Sequence, residues 1–74
     1  MKLSQLKQNQ NAVITAILTT DRFKERLNKM GLRVGEMITL TKVAPFLSPV
    51  QIRINNSYLA IRKSDAERIE VALK

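Results

Sequence analysis

The stretch MGLRVGE, residues 30–36, contains both glycines of this 74-residue chain and separates two segments of different periodicity. Before it, residues 21–30 (DRFKERLNKM) repeat apolar side chains at the spacing of one helix face. After it, residues 36–43 (EMITLTKV) alternate apolar and polar side chains, which is typical of a half-buried strand. A helix is therefore predicted to end, and a strand to begin, within this stretch.

The two glycines predict two turns. Gly31 is predicted to adopt the left-handed conformation that ends a helix, which would fold Leu32 back onto Leu27. Gly35 is predicted to turn the chain into the following strand. The glycine spacing is also that of a helix–helix contact, but a helix that ends at Gly31 cannot use it. A phosphate-binding loop is excluded because no strand precedes the glycines and no Lys-Ser or Lys-Thr follows them.

The predicted helix has favourable ends and one apolar face. Thr20 or Asp21 can cap its first turn. Glu25 precedes Lys29 by four residues, which is the better orientation for a surface ion pair. The apolar face consists of Phe23, Leu27 and Met30.

Three more segments have the composition or alternation of strands. Residues 12–18 (AVITAIL) form a short apolar run rich in β-branched side chains, which predicts a buried strand. Residues 50–54 (VQIRI) and 58–62 (YLAIR) are predicted to alternate between a buried and an exposed face. Asn55 and Asn56 lie between them and tolerate positive φ, so they predict a tight hairpin.

The C-terminal segment completes the predicted architecture. Residues 64–67 (SDAE) match the capping box S-x-x-E and predict a single helical turn. Residues 69–73 then alternate again, with Ile69, Val71 and Leu73 facing inward. The whole order predicts an α+β chain that is mainly β with one short helix. Five short strands of this kind favour a small, partly open β-barrel.

Composition limits the classes of function. The chain is expected to form one domain, residues 1–74, and it has no cysteine for a disulfide framework. Thirteen Lys and Arg against six Asp and Glu give a formal charge of +7, which favours an acidic partner. The apolar run at residues 12–18 is too short for a membrane span and is a poor signal peptide, so the cytoplasm is expected.

In their order and spacing these segments resemble the FeoA family, small cytosolic proteins of bacterial ferrous iron transport. The resemblance is carried by residues 27–35 (LNKMGLRVG), the loop from Pro45 to Pro49, and residues 59–62 (LAIR), and it covers nearly the whole chain. It implies an SH3-like small β-barrel with a helix inserted after the first strand. It also implies a role beside FeoB, a membrane ferrous iron permease that carries a cytosolic G-protein domain. The start at Met1 favours a stand-alone protein over a fragment of an iron-dependent repressor.

Two predicted turns depart from the family pattern. Residues 9–11 (NQN) stand where many relatives have a glycine turn, and Leu47-Ser48 stands where many have Gly-Asp. The expected fold is unaffected because both departures fall in turns. A role for the missing loop carboxylate cannot be transferred to this chain.

The first candidate binding site is a row of basic residues on the predicted helix. Arg22, Arg26 and Lys29 recur at helical spacing, and Arg33 follows just past the helix end. We call these four residues the basic stripe. It is either a solvated helix face or a docking surface for an acidic protein or an anionic membrane. The resemblance makes the cytosolic domain of FeoB the partner to expect.

The second candidate is the loop between two prolines. Phe46 and Leu47 lie between Pro45 and Pro49 and are either tucked under the barrel or presented to a partner. The residues predicted to act only as structural turns are Gly31, Gly35, Pro45, Pro49, Asn55 and Asn56.

No metal, cofactor or catalytic site is predicted. The chain has no histidine and no cysteine, and its six carboxylates are the only remaining strong ligands for ferrous iron. Asp21 and Glu25 could hold a cation between adjacent helix turns, but the charge of +7 opposes this. Without a histidine base or a well-spaced pair of carboxylates, no enzyme is expected. Stimulation of GTP hydrolysis on FeoB by one arginine remains a hypothesis.

The alternative function is a basic barrel that binds nucleic acid. Stacking surfaces for single strands need several aromatic side chains on one sheet. This chain has only Phe23, Phe46 and Tyr58, and Tyr58 alone lies in a predicted strand. Nucleic acid is therefore less favoured as a partner than a FeoB-like permease.

Overall fold

The computed structural model describes residues 1–43 and 48–74. The predictions for Pro45, Phe46 and Leu47 fall outside the described residues. After a short 3-10 turn at Leu3–Gln5, the elements are β1 (Asn11–Ile17), α1 (Asp21–Lys29), β2 (Met37–Val43), β3 (Val50–Ile54), β4 (Ser57–Ile61), α2 (Lys63–Ala66) and β5 (Ile69–Leu73). No helix within the described residues is long and apolar enough to cross a membrane.

The five strands form one antiparallel sheet in the order β4-β3-β2-β1-β5. β4 and β5 are the two edges of this order, so the barrel is not closed but partly open, as predicted. Register shifts between Ile14 and Ala16 and between Leu40 and Lys42 mark a bulge in β1 and another in β2. Bulges bend a strand and increase its twist, which helps a small sheet to curl around its core. At the second bulge the Thr41 hydroxyl donates to the Gln51 carbonyl oxygen at 3.0 Å.

The core lies inside the curl and follows the predicted alternation. Ile38 and Leu40 on β2 are buried, as are Val50, Ile52 and Ile54 on β3. Within residues 1–43 and 48–74, the buried set is Leu3, Leu6, Ala12, Ile14, Ile17, Leu27, Leu32, Ile38, Leu40, Val50, Ile52, Ile54, Ile61, Ala66, Ile69 and Val71. Every member is apolar, so burial of hydrocarbon surface is the main term that stabilises the fold.

The end of α1 confirms the predicted role of the first glycine. Gly31 has φ +98°, and its N–H donates to the Asn28 carbonyl oxygen at 3.0 Å. The Leu32 N–H donates to the Leu27 carbonyl oxygen, also at 3.0 Å. These two bonds define a Schellman ending. Leu32 and Leu27 are both buried, so the turn carries the chain from the helix directly into the core.

The remaining predicted turns within the described residues also have turn geometry. Thr20 accepts from the Phe23 N–H at 3.3 Å and caps α1. Asn55 and Asn56 have φ of 48° and 67° and join β3 to β4 as a two-residue hairpin. Gly35 has φ +95° at the entry to β2. Pro49 lies in a bend immediately before β3.

The predicted capping box at residues 64–67 is wrong. The short helix α2 begins at Lys63, one residue before Ser64, and Arg62 occupies the N-cap without a side-chain hydrogen bond. Ser64 therefore lies inside the first turn rather than ahead of it. The Lys63 N–H donates instead to the Ser48 hydroxyl at 3.3 Å, which supplies a partner from a distant segment.

Three apolar residues predicted to be buried are exposed. Leu18 lies beyond the end of β1 and is 59% exposed, and Leu73 at the end of β5 is 52% exposed. Met30 lies at the C-cap of α1 and is 44% exposed. Met30 and Leu73 lie at the ends of their elements, and Leu18 follows the buried Ile17, so strand alternation turns it outward.

The N-terminal segment has a structural role that the sequence did not reveal. Leu3 is fully buried and Leu6 is 6% exposed, although neither belongs to a strand or an α-helix. The N-terminal ammonium donates to the Val71 carbonyl oxygen at 3.1 Å, and the Val71 N–H donates to the Met1 carbonyl oxygen at 2.7 Å. The segment therefore pairs briefly with β5 and adds two leucines to the core.

Candidate functional site

The basic stripe lies on the solvent side of α1. Arg22, Arg26 and Lys29 are exposed on the helix, and Arg33 is exposed in the turn that follows. The alternation of apolar and basic positions at helical spacing places the stripe beside the buried Leu27. The stripe is thus accessible to a partner along its whole length.

The four charges of the stripe do not have equal surroundings. The Lys29 ammonium lies 3.9 Å from the Glu25 carboxylate, as the spacing predicted. Among residues 1–43 and 48–74, no carboxylate lies within 4.0 Å of Arg22, Arg26 or Arg33. An exposed pair such as Lys29–Glu25 stabilises a protein by only about 0.3–0.5 kcal/mol, so an acidic partner can displace it at little cost.

A groove runs beside the stripe, between α1 and the edge of the sheet. It has a volume of about 270 Å³. Its α1 wall consists of Phe23, Arg26, Leu27 and Met30. Its opposite wall consists of Ala60, Ile61, Arg62 and Asp65, from β4 and α2. We call this feature the α1–β4 groove.

The α1–β4 groove combines an apolar floor with a basic rim. Leu27 and Ile61 are buried at its base, Phe23 is half-buried, and Met30 is largely exposed. Arg26 and Arg62 stand on opposite walls and are both exposed. Among the described residues that line it, Asp65 is the one carboxylate.

A shallower depression continues the groove past Phe23. It has a volume of about 210 Å³ and is lined by Thr20, Arg22, Phe23 and Arg26. Because Phe23 and Arg26 line both hollows, the two form one surface with three guanidinium groups along it. Sequence reasoning predicted two of these, Arg22 and Arg26, but missed Arg62, because nothing local places β4 opposite α1.

The described residues do not assemble a metal centre. Within residues 1–43 and 48–74, no three His, Cys, Asp or Glu side chains lie together. The carboxylate of Glu25, one of the two helix carboxylates that could hold a cation, lies beside the Lys29 ammonium. Zinc in proteins is bound mainly by histidine and cysteine, and this chain has neither. The side chains present therefore do not fit a resident zinc site.

Comparisons with known proteins agree with this fold. A family model described as the FeoA domain matches residues 1–73. A curated relative from Porphyromonas gingivalis (strain ATCC BAA-308 / W83), an "Fe(2+) transport protein A/Fe(2+) transporter FeoB fusion protein", is 37% identical over 73 residues. That alignment covers 99% of this chain but only 9% of the relative.

Solved structures give the same result. The FeoA protein of Chlorobium tepidum is 32% identical with a TM-score of 0.91, and the match covers 99% of this chain and 70% of that one. The FeoA of Stenotrophomonas maltophilia, solved in complex with zinc and described as an SH3 domain protein, is 26% identical with a TM-score of 0.83. That match covers 97% of this chain and 89% of the other. With an SH3-like sheet, a helix after the first strand and a family match over nearly its full length, the chain belongs to the FeoA family.

Proposed function

We propose that this chain is a cytoplasmic accessory protein of bacterial ferrous iron uptake that binds the cytosolic G-protein domain of a FeoB-type permease. The observation that carries the proposal is the Porphyromonas gingivalis relative, in which FeoA and FeoB are joined in one polypeptide. Fusion raises the effective concentration of one domain near another, so it is favoured where the two parts work together. In this proposal the 74 residues act as one domain, and ferrous iron is the cargo of the permease rather than a ligand of this chain.

The basic stripe is the surface proposed to make this contact. A formal charge of +7 speeds encounter with an acidic partner and disfavours basic ones. Arg22, Arg26 and Arg33 are exposed and have no carboxylate within 4.0 Å in the described part of the chain, so their guanidinium groups are available. Arginine also suits such a role because its planar group binds carboxylates with two parallel hydrogen bonds.

Charge reversal tests the proposal. Changing Arg22, Arg26 and Lys29 to glutamate should weaken capture of detergent-solubilised FeoB at least tenfold, because attraction along the stripe becomes repulsion. Each of these side chains is exposed, so the melting temperature should change little. Capture is measured by pull-down, and folding is checked by circular dichroism.

The matched control reverses the charge of three exposed basic residues outside α1, namely Lys7, Arg53 and Lys74. It changes the net charge by the same amount, so it should leave capture within about twofold if the stripe is the contact. Unchanged capture by the stripe variant would remove the stripe from the interface. An equal loss in both variants would show that overall charge, rather than this face, drives binding.

A further inference from the structure

We propose that the α1–β4 groove binds an acidic protein segment that inserts one large apolar side chain between α1 and β4. This inference rests on the proposed function, because it specifies the part of the acidic partner that this chain would recognise. It adds a second wall, from β4 and α2, to a contact that the sequence placed on α1 alone.

The floor of the groove favours an apolar anchor. Leu27 and Ile61 close its base, while Phe23 and Met30 keep apolar surface at the rim. Met30 is 44% exposed, whereas Leu27 on the same helix face is buried. Covering this surface would remove apolar area from water, which is favourable at about 25 cal/mol per Å².

The size of the groove favours a side chain over a free small molecule. Sites for drug-sized ligands and cofactors are usually about 300–1,000 Å³ and enclose most of the ligand. The α1–β4 groove has about 270 Å³ and is open along its length. A single anchoring side chain, with its backbone lying across the rim, fits this shape better.

The rim selects the charge of the occupant. Arg26 and Arg62 face the groove from opposite walls, and within residues 1–43 and 48–74 neither has a carboxylate within 4.0 Å. Asp65 is the single acid in the lining. A second copy of this chain, with its own charge of +7, would be repelled from such a rim. A phosphate or nucleic acid would use the arginines but would leave the apolar floor uncovered.

The edge position of β4 offers additional backbone contacts. In the described part of the chain β4 is an edge strand that pairs with β3, and its residues Ala60 and Ile61 line the groove. An edge strand presents backbone N–H and C=O groups that an extended segment can pair with. The occupant would therefore gain binding energy from its backbone as well as from its anchor and its carboxylates.

The first test needs no knowledge of the natural partner. The ¹⁵N-labelled protein is titrated with the synthetic peptide Glu-Asp-Glu-Leu-Glu-Asp-Glu and with two variants, one with serine for leucine and one with lysine for every acid. The acidic leucine peptide should shift the amide signals of Phe23, Met30 and Ala60, and each variant peptide should bind at least fivefold more weakly. Absence of shifts, or shifts confined to other surfaces, would overturn the groove as a binding site.

The second test changes the apolar rim of the groove in the whole protein. Met30→Asp should weaken binding to the cytosolic domain of FeoB at least tenfold, because it removes apolar surface and places a carboxylate against the acidic segment. Met37→Asp is the matched control, since Met37 is also an exposed methionine but lies on β2, outside the groove. Its affinity should stay within twofold of the original protein.

The two tests separate the groove from the proposed partner. Peptide binding without any affinity for FeoB would support the groove and refute the proposed function. Unchanged FeoB binding in Met30→Asp, together with a loss in the basic-stripe variant, would refute the groove and support the proposed function.

Discussion

Replacing Leu3 with alanine should lower the free energy of unfolding by about 3 kcal/mol, although Leu3 lies outside every strand and α-helix. Its side chain is fully buried in the same cluster as the strand residues. Removing it loses transfer free energy and leaves a cavity that the fold cannot fully close. A chain of 74 residues has only several kcal/mol of stability to lose, so the change should lower the urea midpoint markedly.

The matched control is the same substitution at Leu18, which is 59% exposed. Leu18→Ala should change the free energy of unfolding by no more than about 0.5 kcal/mol. Equal effects at the two positions would contradict the burial of the N-terminal segment. A small effect at Leu3 with unchanged urea dependence would show that the segment detaches in solution.

Gly31→Val should lower the free energy of unfolding by about 2 kcal/mol, through backbone strain rather than through a clash. Gly31 has φ +98°, where a β-branched residue is a genuine outlier. A Cβ at this position would meet nothing within 4 Å, so crowding contributes no penalty. The strained backbone would also weaken the hydrogen bond that the Leu32 N–H donates to the Leu27 carbonyl oxygen at the end of the helix. Thermal unfolding followed by circular dichroism measures the effect.

Gly31→Asn separates strain from loss of the glycine itself. Asparagine tolerates positive φ better than valine, so the asparagine variant should retain most of the stability that the valine variant loses. If the asparagine and valine variants had the same melting temperature, well below that of the original protein, the left-handed turn would not be the cause. A valine variant as stable as the original would contradict the Schellman ending.

The sequence predicted the elements whose signals are local. The hairpin at Asn55-Asn56 follows from two adjacent residues that accept positive φ, and both adopt it. The helix end at Gly31 follows from a glycine preceded by an amphipathic segment, and its hydrogen bonds are those of a Schellman ending. Alternation in β2 and β3 placed the inward residues correctly because each strand has one face against the core.

The features that were missed depend on contacts between distant segments. The burial of Leu3 and Leu6 accompanies hydrogen bonds between Met1 and Val71, which are 70 residues apart in the chain. The capping box at residues 64–67 failed because the start of α2 uses Ser48, from before β3, as a partner. Short motifs of this kind are overridden when tertiary contacts supply a competing hydrogen bond.

The candidate site also combines residues that local sequence predicts with residues that only tertiary contacts bring together. Three members of the basic stripe follow from helical spacing, and α1 displays them on its exposed face. Ala60 lies on β4 and Arg62 at the N-cap of α2, more than thirty residues later in the chain, so only the tertiary fold brings them opposite Arg26. The surface proposed for binding is therefore wider than the stripe, and its second wall could not be predicted from local pattern.

The most direct test of a charged contact with the permease is calorimetric titration of this chain into the cytosolic G-protein domain of FeoB from the same organism. We expect saturable one-to-one binding whose affinity falls several-fold between about 50 and about 200 mM salt, because screening weakens the attraction to the basic stripe. Absence of binding at low salt, or an affinity that does not change with salt, would contradict it.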